Sequence, residues 1–381
     1  MDGMPTLAVV GATGDVGTVM LQILSQHADV WGEIRLIDPP RAGAAAGPGR
    51  FGPPGRAGLA GGGGGAGGGP EGRALLVRGE PTEVVALSEA AFDGVDVALF
   101  LVPDETAARW APVAAARGAV VIDRSAAFRL DPDVPLVVPE VNPHAVRARP
   151  RGIVASPGCA TLSMIVAVGA LHAEFGVSEL VVSSYQAVSA AGRDGVGALR
   201  EQLSLVAGTK LGTHPGDVRR AVGDSTGPFP APLALNVVPW TGAPAADGWS
   251  AEELAIREET RKVLDLPRLR VVATCVQVPV ITGHSMSVHA RFEHEVTVER
   301  AHEILATSPG VVLFDNPGTA DFPTPADVVG TDPTWVGRVR RSPDDPRALE
   351  LFVCGDNLRK GAALNAVQIA EAVAVELAAR S

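Results

Sequence analysis

Cys159 carries the strongest chemical signal in this 381-residue sequence. It follows a Pro-Gly turn and precedes the apolar run 162–168, so the pattern predicts a helix that begins at or just after the cysteine. Unpaired N–H groups and the helix dipole would favour the thiolate there, and could hold a negative substrate oxygen. A buried structural thiol is the alternative, which we adopt for Cys275 and Cys354 because they lie in apolar strand-like runs.

A glycine-rich turn near the N-terminus indicates a dinucleotide site. The strand pattern 6–10 leads into the turn 11–17, which reads Gly-Ala-Thr-Gly-Asp-Val-Gly, and a helix pattern follows. Such glycines let the backbone approach a pyrophosphate at a helix N-terminus. The next predicted strand ends at Asp38, which suits a ribose 2′-hydroxyl, while Arg41 suits a 2′-phosphate. These residues leave the choice between NAD and NADP open.

Strand and helix patterns alternate through the first third of the chain. A buried strand at 95–101, a helix at 105–117 and a strand at 119–123 predict a doubly wound parallel sheet. Residues 42–72 are almost entirely Gly, Ala and Pro, so we expect a disordered surface insertion. The strand-helix pattern is expected to resume directly at 75–77.

After Pro135 the pattern predicts a more antiparallel second domain. A last amphipathic helix, 358–379, is expected to pack back against the first domain. Pro-rich stretches at 214–245 and 316–333 are predicted to be long loops. The remaining predicted elements are strands at 177–185, 270–280 and 285–292, a helix at 298–306, and strands near Val336 and Leu351.

Composition and charge exclude several classes of function. The formal net charge of -11 without a basic cluster argues against nucleic acid or an anionic membrane as a partner. Three cysteines without motif spacing give neither a disulfide framework nor a metal site. The N-terminus lacks the basic start of a signal peptide, and no apolar run approaches transmembrane length. We therefore expect a soluble cytoplasmic protein.

Three further kinds of side chain could act with Cys159. Gln186 ends a predicted strand and could orient a bound carbonyl. His284 lies at a tight turn within an apolar strand, where it could shuttle a proton near neutral pH. Arg124 and Arg129 follow the last strand of the nucleotide domain, and one could clamp a phosphate. The plainer alternatives are a satisfied loop amide, a structural histidine and surface charges.

Together these segments resemble the aspartate-semialdehyde dehydrogenase family over nearly the whole chain. The resemblance implies a Rossmann-like domain completed by the C-terminal helix, and a catalytic and dimerisation domain. It also implies reduction of an aspartyl phosphate by NADPH, through a thioester on Cys159 that is reduced and collapses to the aldehyde. The similar segments are 11–17, 138–142, 184–189, 236–239, 278–280 with 283–285, and 356–365.

The resemblance also implies roles for single residues. Cys159 is the nucleophile, His284 the acid/base and Gln186 the amide that orients the substrate. Arg129 would bind phosphate, and Gln277, Glu252 and Asn357 would complete the substrate site. The implied cofactor is NADP, with NAD as the alternative, and its contacts are Gly11, Thr13, Gly14, Asp15, Val16, Arg41, Gly192 and Gln368.

The predicted fold class is therefore α/β. A Rossmann-like doubly wound parallel sheet would comprise residues 1–133 and 358–381, and an α+β catalytic and dimerisation domain would comprise 134–357. The expected partners are a small-molecule acyl phosphate or aldehyde, inorganic phosphate, and further copies of the chain in a homodimer or homotetramer.

Four positions depart from the family pattern. Gln277 replaces an arginine that grips the substrate α-carboxylate, and Ala255 replaces a lysine. Gly158 replaces an asparagine beside the nucleophile, and 102–104 replaces an Ala-Gly-Gly loop beneath the cofactor. Loss of two cations should weaken aspartyl phosphate binding by several orders of magnitude, unless a base such as Arg124 or Arg193 substitutes.

Two alternative functions follow from these departures. The same chemistry could serve another substrate, in a specialised-metabolism paralogue, that lacks a free α-carboxylate or presents an amide to Gln277. The related N-acetyl-glutamyl-phosphate reductase family shares motifs at 156–159 and 125–130. The other alternative is a catalytically silent paralogue that binds a nucleotide or a partner. Retention of Cys159 and His284 counts against silence.

Overall fold

The computed structural model describes residues 4–27, 30–39 and 73–379. Arg41 and the glycine-rich segment 42–72 lie outside these ranges. The prediction that Arg41 contacts the cofactor and the prediction of a disordered insertion therefore stay predictions.

Thirteen strands in the described part of the chain form two sheets. A seven-stranded sheet has the order β3-β4-β2-β1-β5-β6-β7, and a six-stranded sheet has the order β11-β12-β13-β10-β8-β9. The strands are β1 Leu7–Val10, β2 Ile34–Asp38, β3 Ala74–Val77, β4 Glu80–Ala86, β5 Val97–Phe100, β6 Val120–Asp123, β7 Ile153–Ala155, β8 Val177–Gln186, β9 Arg270–Gln277, β10 His284–Phe292, β11 Val311–Leu313, β12 Thr334–Arg341 and β13 Ala348–Gly355.

Nine α-helices connect these strands within the same described ranges. They are α1 Asp15–Gln26, α2 Asp104–Ala116, α3 Cys159–Phe175, α4 Gly192–Val206, α5 Asp217–Val222, α6 Ala251–Val263, α7 Val298–Thr307, α8 Pro325–Val328 and α9 Leu364–Ala378. A π-helical turn, Arg359–Ala363, leads directly into α9.

The first sheet is parallel and covered on both faces, which confirms the doubly wound architecture. Every pairing from β4 to β7 is parallel. Along β1, Leu7 and Val9 pack into the core formed with α1 and α9, whereas Ala8 and Val10 pack into the core that includes α2. Strand β7 also belongs to this sheet, although it lies beyond the predicted division at residue 133. The division into domains stays a prediction.

The first element after the glycine-rich segment differs from the prediction. The expected strand-helix pattern at 75–77 is wrong, because β3 and β4 form an antiparallel hairpin. Arg78 and Gly79 take φ angles of 51° and 83° between the strands. Two successive positive φ angles are typical of a tight hairpin turn. β3 is consequently an antiparallel edge strand.

The second sheet is mixed and mainly antiparallel, as predicted. Strand β10 pairs antiparallel with β8 and β13, and β12 pairs antiparallel with β13. The pairs β8–β9 and β11–β12 are parallel. Helices α3, α6 and α7 pack against strands of this sheet, which completes an α+β layer beside the first sheet.

The C-terminal helix packs against the first sheet, as predicted. Helix α9 contacts α1, β5 and β6. The segment Arg359–Ala378 is nevertheless long and apolar enough by composition to cross a membrane, with a mean hydropathy of 1.3, contrary to our expectation. Since 61% of it is buried inside the fold, we interpret it as a core helix.

A buried ion pair fixes this C-terminal segment. Lys360 Nζ lies 2.6 Å from Glu140 Oε2 and donates to Asn365 Oδ1 at 3.0 Å and to Gln368 Oε1 at 2.7 Å. Gln368 Nε2 in turn donates to Glu140 Oε1 at 3.0 Å. Both side chains of the ion pair are less than one tenth exposed. The cation therefore satisfies three buried oxygens at once.

We expect Lys360→Met to lower the free energy of unfolding by about 3–5 kcal/mol, because it leaves the Glu140 carboxylate buried without a cation. Urea denaturation followed by circular dichroism measures this change. The double variant Lys360→Met/Glu140→Gln should recover part of the loss. An unchanged unfolding midpoint for Lys360→Met would show that the ion pair does not stabilise the fold.

Candidate active site

Cys159 is the first residue of α3, as the sequence predicted. β7 ends four residues earlier, and the connecting Ser156 donates its backbone N–H to Asp123 O at the end of β6, at 2.8 Å. The carboxyl ends of β6 and β7 therefore set the position of the cysteine. Gly361 packs against it, since a Cβ there would lie 3.2 Å from Cys159 Cβ. The C-terminal segment forms one wall of the site.

His284, the first residue of β10, lies against the thiol. Its Nε2 is 3.2 Å from Cys159 Sγ, and its Nδ1 accepts a hydrogen bond from the backbone N–H of Ala187 at 3.1 Å. Because a backbone N–H can only donate, Nδ1 is an acceptor and the neutral ring carries its proton on Nε2. Burial lowers the pKa of His284 to about 3. The histidine is therefore a neutral donor to sulfur at physiological pH.

The turn that carries His284 is held by Asn357. Gly283 has a φ of 99°, and a Cβ there would lie 3.0 Å from Pro325 Cβ, so only glycine fits. Its N–H donates to Asn357 Oδ1 at 2.8 Å, and Asn357 Nδ2 donates to Ser189 Oγ at 2.9 Å. Asn357, which the resemblance implies as a substrate contact, here positions the histidine turn.

A cavity of about 320 Å³ opens beside Cys159. It brings together three more of the predicted site residues, Gln186, Glu252 and Gln277. Gln186 is buried at the end of β8, and its Nε2 lies 3.2 Å from Ser184 Oγ. Burial raises the pKa of Glu252 to about 7, with a further contribution from the Glu259 carboxylate that Arg129 opposes.

Arg129 lies next to this site but is already paired. It donates to Glu259 Oε1 at 3.0 Å, to Ser156 O at 3.1 Å and to Arg124 O at 2.7 Å. Glu259 Oε2 also accepts the N–H of Gly158 at 2.8 Å. The implied phosphate-binding arginine is therefore neutralised by a buried carboxylate in this state.

This ion pair explains the glycine next to the nucleophile. A Cβ at Gly158 would lie 3.0 Å from Arg129 Nη1 and 3.3 Å from Glu259 Oε2. An asparagine at position 158 would require the Arg129–Glu259 ion pair to shift. The glycine at this position therefore allows the ion pair to lie directly beside the nucleophile.

The glycine-rich turn fits a dinucleotide. Gly11 has a φ of 92°, and a Cβ there would lie 2.5 Å from Leu101 O, so a side chain would clash with the backbone that follows β5 and only glycine fits. Thr13 N lies 3.5 Å from Oδ1 of Asp38, which is buried at the end of β2. The predicted cofactor contacts Gly11, Thr13 and Gly14 lie in this turn, and Asp15 and Val16 begin α1.

Gly192 follows β8 of the second sheet in the chain and lies close to Asp15, which comes directly after the glycine-rich turn. It starts α4 with a φ of 65°, and the adjacent Arg193 donates to Asp15 Oδ1 at 2.6 Å. These residues line a cavity of about 340 Å³. Because Arg193 pairs with Asp15, its charge is already compensated. Gln368, another predicted cofactor contact, bonds through its amide atoms to Lys360 and Glu140, and its role stays a prediction.

Comparison with known proteins decides the family. Two family models match: the semialdehyde dehydrogenase NAD binding domain at residues 68–149, and the semialdehyde dehydrogenase dimerisation domain at 168–360. The aspartate-semialdehyde dehydrogenase of Streptomyces akiyoshiensis is 41% identical over 97% of this chain and 99% of that protein. The chain belongs to the aspartate-semialdehyde dehydrogenase family.

Further relatives agree in length and fold. The aspartate-semialdehyde dehydrogenase of Aquifex aeolicus is 38% identical over 97% of this chain and 98% of that protein. The crystal structure of aspartate semialdehyde dehydrogenase II in complex with ASA, from Vibrio cholerae, superposes with a TM-score of 0.82 at 34% identity, covering 97% of this chain and 98% of that one. Both the sequence and the fold thus match over 97% of the chain.

In this semialdehyde dehydrogenase family member, the thiol is protonated in the free protein, contrary to the prediction of a thiolate. Burial raises the pKa of Cys159 to about 11, and the Glu252 carboxylate adds to the rise. The guanidinium groups of Arg124 and Arg129 oppose it. Desolvation of the sulfur therefore outweighs the helix N-terminus.

We expect alkylation of Cys159 by iodoacetamide to be slow at pH 7 and to accelerate about tenfold per pH unit towards pH 11, because only the thiolate reacts. Glu252→Gln should accelerate it at pH 8, since it removes a nearby negative charge. Glu258→Gln, on the partly exposed side of α6, is the matched control. Peptide mass spectrometry reports the rate, and a plateau already below pH 8 would contradict this assignment.

Sequence reasoning missed several residues of this dehydrogenase site. Glu259 lies seven residues after Glu252 on α6, and that spacing places both acids on one helix face, which was a usable signal. Phe229, Trp240 and Thr241 line the cavity, but they lie in a stretch that we interpreted only as a loop. No local pattern marks them.

Proposed function

We propose that this protein catalyses the NADPH-dependent reductive dephosphorylation of L-aspartyl-4-phosphate, or of a close derivative, to the corresponding 4-semialdehyde. The observation that carries the proposal is the 3.2 Å contact between Cys159 Sγ and His284 Nε2, beside a cavity that also contains Gln186 and Glu252. Relatives of the same length bear the matching name. A silent paralogue would have no reason to keep this contact.

In the first step, Cys159 sulfur attacks the acyl carbon. The thiol proton passes to a phosphate oxygen of the substrate as the C–S bond forms, the C–O bond to phosphate breaks, and the phosphate leaves with that proton. His284 is neutral and carries its proton on Nε2, so it acts as a donor to the sulfur and then to the carbonyl oxygen where negative charge develops. Gln186, fixed at the end of β8, orients that carbonyl.

In the second step, the thioester is reduced by addition of a hydride to its carbonyl carbon and of a proton from water to its oxygen, and the resulting thiohemiacetal collapses to the aldehyde and the free thiol. NADPH supplies the hydride when it is bound. Gly11, Thr13 and Gly14 would hold its pyrophosphate in the turn before α1. Asp38 would contact the adenosine ribose, and Arg41 would pair with the 2′-phosphate. His284 Nε2–H stabilises the oxygen of the tetrahedral species until collapse.

The experiment that tests this proposal is phosphate-dependent reduction of NADP⁺ and of NAD⁺ with L-aspartate 4-semialdehyde and its derivatives. We expect reduction that requires both aldehyde and phosphate and that is faster with NADP⁺. A folded protein that binds the cofactor but oxidises none of these aldehydes would support the silent paralogue and overturn the proposal.

We also propose that two copies of the chain associate through the outer face of the second sheet to form a homodimer. This dimer would be cytoplasmic and would have no nucleic-acid or membrane partner. Inward-facing residues of β8 and β9 pack under α3 and α6, whereas Val181, Tyr185 and Val272 on the opposite face are 37–48% exposed. The Tyr185 ring stacks on Phe352 with centroids 6.4 Å apart, which extends this apolar surface. The matched family model is a dimerisation domain.

We expect light scattering to give twice the chain mass of 39.1 kDa, and Val272→Glu to shift the species towards the monomer. The reason is that a charge would be buried without a partner at the interface. Val329→Glu places the same charge on a residue that is 47% exposed elsewhere, and should leave the dimer intact. A monomeric wild type, or a dimer insensitive to Val272→Glu, would contradict this assignment.

A further inference from the structure

Two polar atoms in the cavity beside Cys159 are buried and have no partner among the described residues. They are Oε1 of Gln277 and Oγ1 of Thr241, and both residues line the cavity. Gln277 is 4% exposed. A buried acceptor without a partner is costly, so its presence beside a reactive thiol indicates a ligand that supplies the missing donor.

The backbone holds Gln277 firmly in this position. It is the last residue of β9, directly opposite Gln186 in the parallel pair with β8. Its N–H donates to Val238 O at 2.8 Å, and its carbonyl accepts from Val238 N at 3.0 Å. Two glutamines therefore end adjacent strands and line the same cavity as the nucleophile. Gln186 is used to orient the reacting carbonyl, which leaves Gln277 for the rest of the substrate.

The charge of the cavity disfavours a carboxylate. Among the described residues that line it, Glu252 is the one charged side chain, and there is no Lys or Arg. Arg129 lies nearby, but its charge is compensated by Glu259. Arg124 is close enough to the thiol that its guanidinium lowers the pKa of Cys159, but it is not among the residues that line this cavity. An ammonium group suits the Glu252 carboxylate. An α-carboxylate would face that carboxylate and the Gln277 amide oxygen, and, of the two unpaired groups, only the Thr241 hydroxyl could donate a hydrogen bond to it.

Reorienting the Gln277 amide does not make the cavity favourable for a carboxylate. If the Gln277 amide turned by 180°, its Nε2 would offer a carboxylate neutral N–H donors, where a guanidinium would offer a charged bidentate fork. Glu252 would still repel the bound anion. In either orientation the described lining of the cavity lacks a cation for a carboxylate, and in the observed one the Gln277 amide oxygen accepts a hydrogen bond from a neutral group at the substrate's α-carbon.

We propose that the cavity selects an amino-acid derived acyl phosphate, and the matching aldehyde, in which the α-carboxyl group is a carboxamide. Its NH₂ group donates to Gln277 Oε1 and Thr241 Oγ1, and its ammonium group pairs with Glu252. This inference rests on the proposed function, because it concerns the substrate of the same Cys159 chemistry.

The test compares kcat/KM for L-aspartate 4-semialdehyde and for its α-carboxamide, 2-amino-4-oxobutanamide, with NADP⁺ and phosphate. We expect the wild type to prefer the carboxamide by at least about tenfold, since a site built to accept a hydrogen bond rejects a partner that cannot donate it. Gln277→Arg should reverse the preference, mainly through KM. Gln277→Met, which has similar volume but no acceptor, should lose the preference for the carboxamide without gaining one for the carboxylate.

The outcomes separate this inference from the proposed function. A wild type that prefers the free carboxylate, or a Gln277→Met variant that keeps the preference for the carboxamide, overturns the inference and leaves the thioester chemistry in place. If neither aldehyde is oxidised by folded protein that binds NADP⁺, the proposed function fails and the inference falls with it. Circular dichroism and cofactor binding verify that each variant is folded.

Discussion

Cys159→Ser is expected to lower kcat by about 10⁴-fold or more, the scale of removing a catalytic nucleophile. The serine hydroxyl is a poor nucleophile without a base, and His284 cannot serve as one because its Nε2 carries a proton and its Nδ1 accepts from Ala187. The smaller oxygen leaves α3 and the cavity otherwise unchanged. NADPH formation is the assay, and the dissociation constant for NADP⁺ should stay the same.

Cys354→Ser is the matched control for this variant. Cys354 is buried on β13, and its Sγ lies 3.2 Å from Ser285 Oγ, so a serine there keeps a hydrogen-bond partner. We expect it to retain activity. Substantial turnover by Cys159→Ser would rule out a thioester at this residue.

His284→Ala is expected to lower kcat by about 10²–10⁴-fold, because it removes the donor to the sulfur and to the developing oxyanion. The pH dependence adds a second readout. Burial holds the pKa of His284 at about 3, so the ring stays neutral above that value and the wild-type kcat should show no ionisation of this ring near pH 6.5. Protonation would require a proton on Nδ1 and the loss of the bond from Ala187.

His289→Ala controls for the loss of a histidine from the same strand. His289 lies on β10 with its Nδ1 2.7 Å from Glu350 Oε1, away from the thiol and partly exposed. It should leave kcat unchanged. Equal losses of kcat in both variants would show that His284 only stabilises β10 and does not take part in the reaction. An ionisation near pH 6.5 that disappears in His284→Ala would contradict the neutral-donor assignment.

The position of the reacting groups could be predicted from local sequence. A Pro-Gly turn before an apolar periodic run is enough to start a helix at Cys159. A glycine that interrupts an apolar strand is enough to place His284 at a strand end. Their contact could not be derived from local pattern, because 125 residues separate them, and it followed only from the resemblance to a family.

The electrostatics of the site could not be predicted, because they depend on tertiary contacts. The helix N-terminus at Cys159 favours a thiolate, yet burial and Glu252 reverse that preference. The sequence pattern predicts Arg129 as a phosphate clamp, but Glu259, 130 residues away in sequence, pairs with it. The pairing arises only when α6 packs beside the turn before α3.

The most direct test of the central claim is a reaction in the aldehyde-oxidising direction without phosphate. The protein is mixed with a reactive aldehyde and NADP⁺, and NADPH and the intact mass are followed together. We expect a burst of one NADPH per chain, an acyl adduct on the peptide containing Cys159, and release of that adduct when phosphate is added. NADPH formation without an adduct on Cys159, or steady turnover without phosphate, would contradict the account.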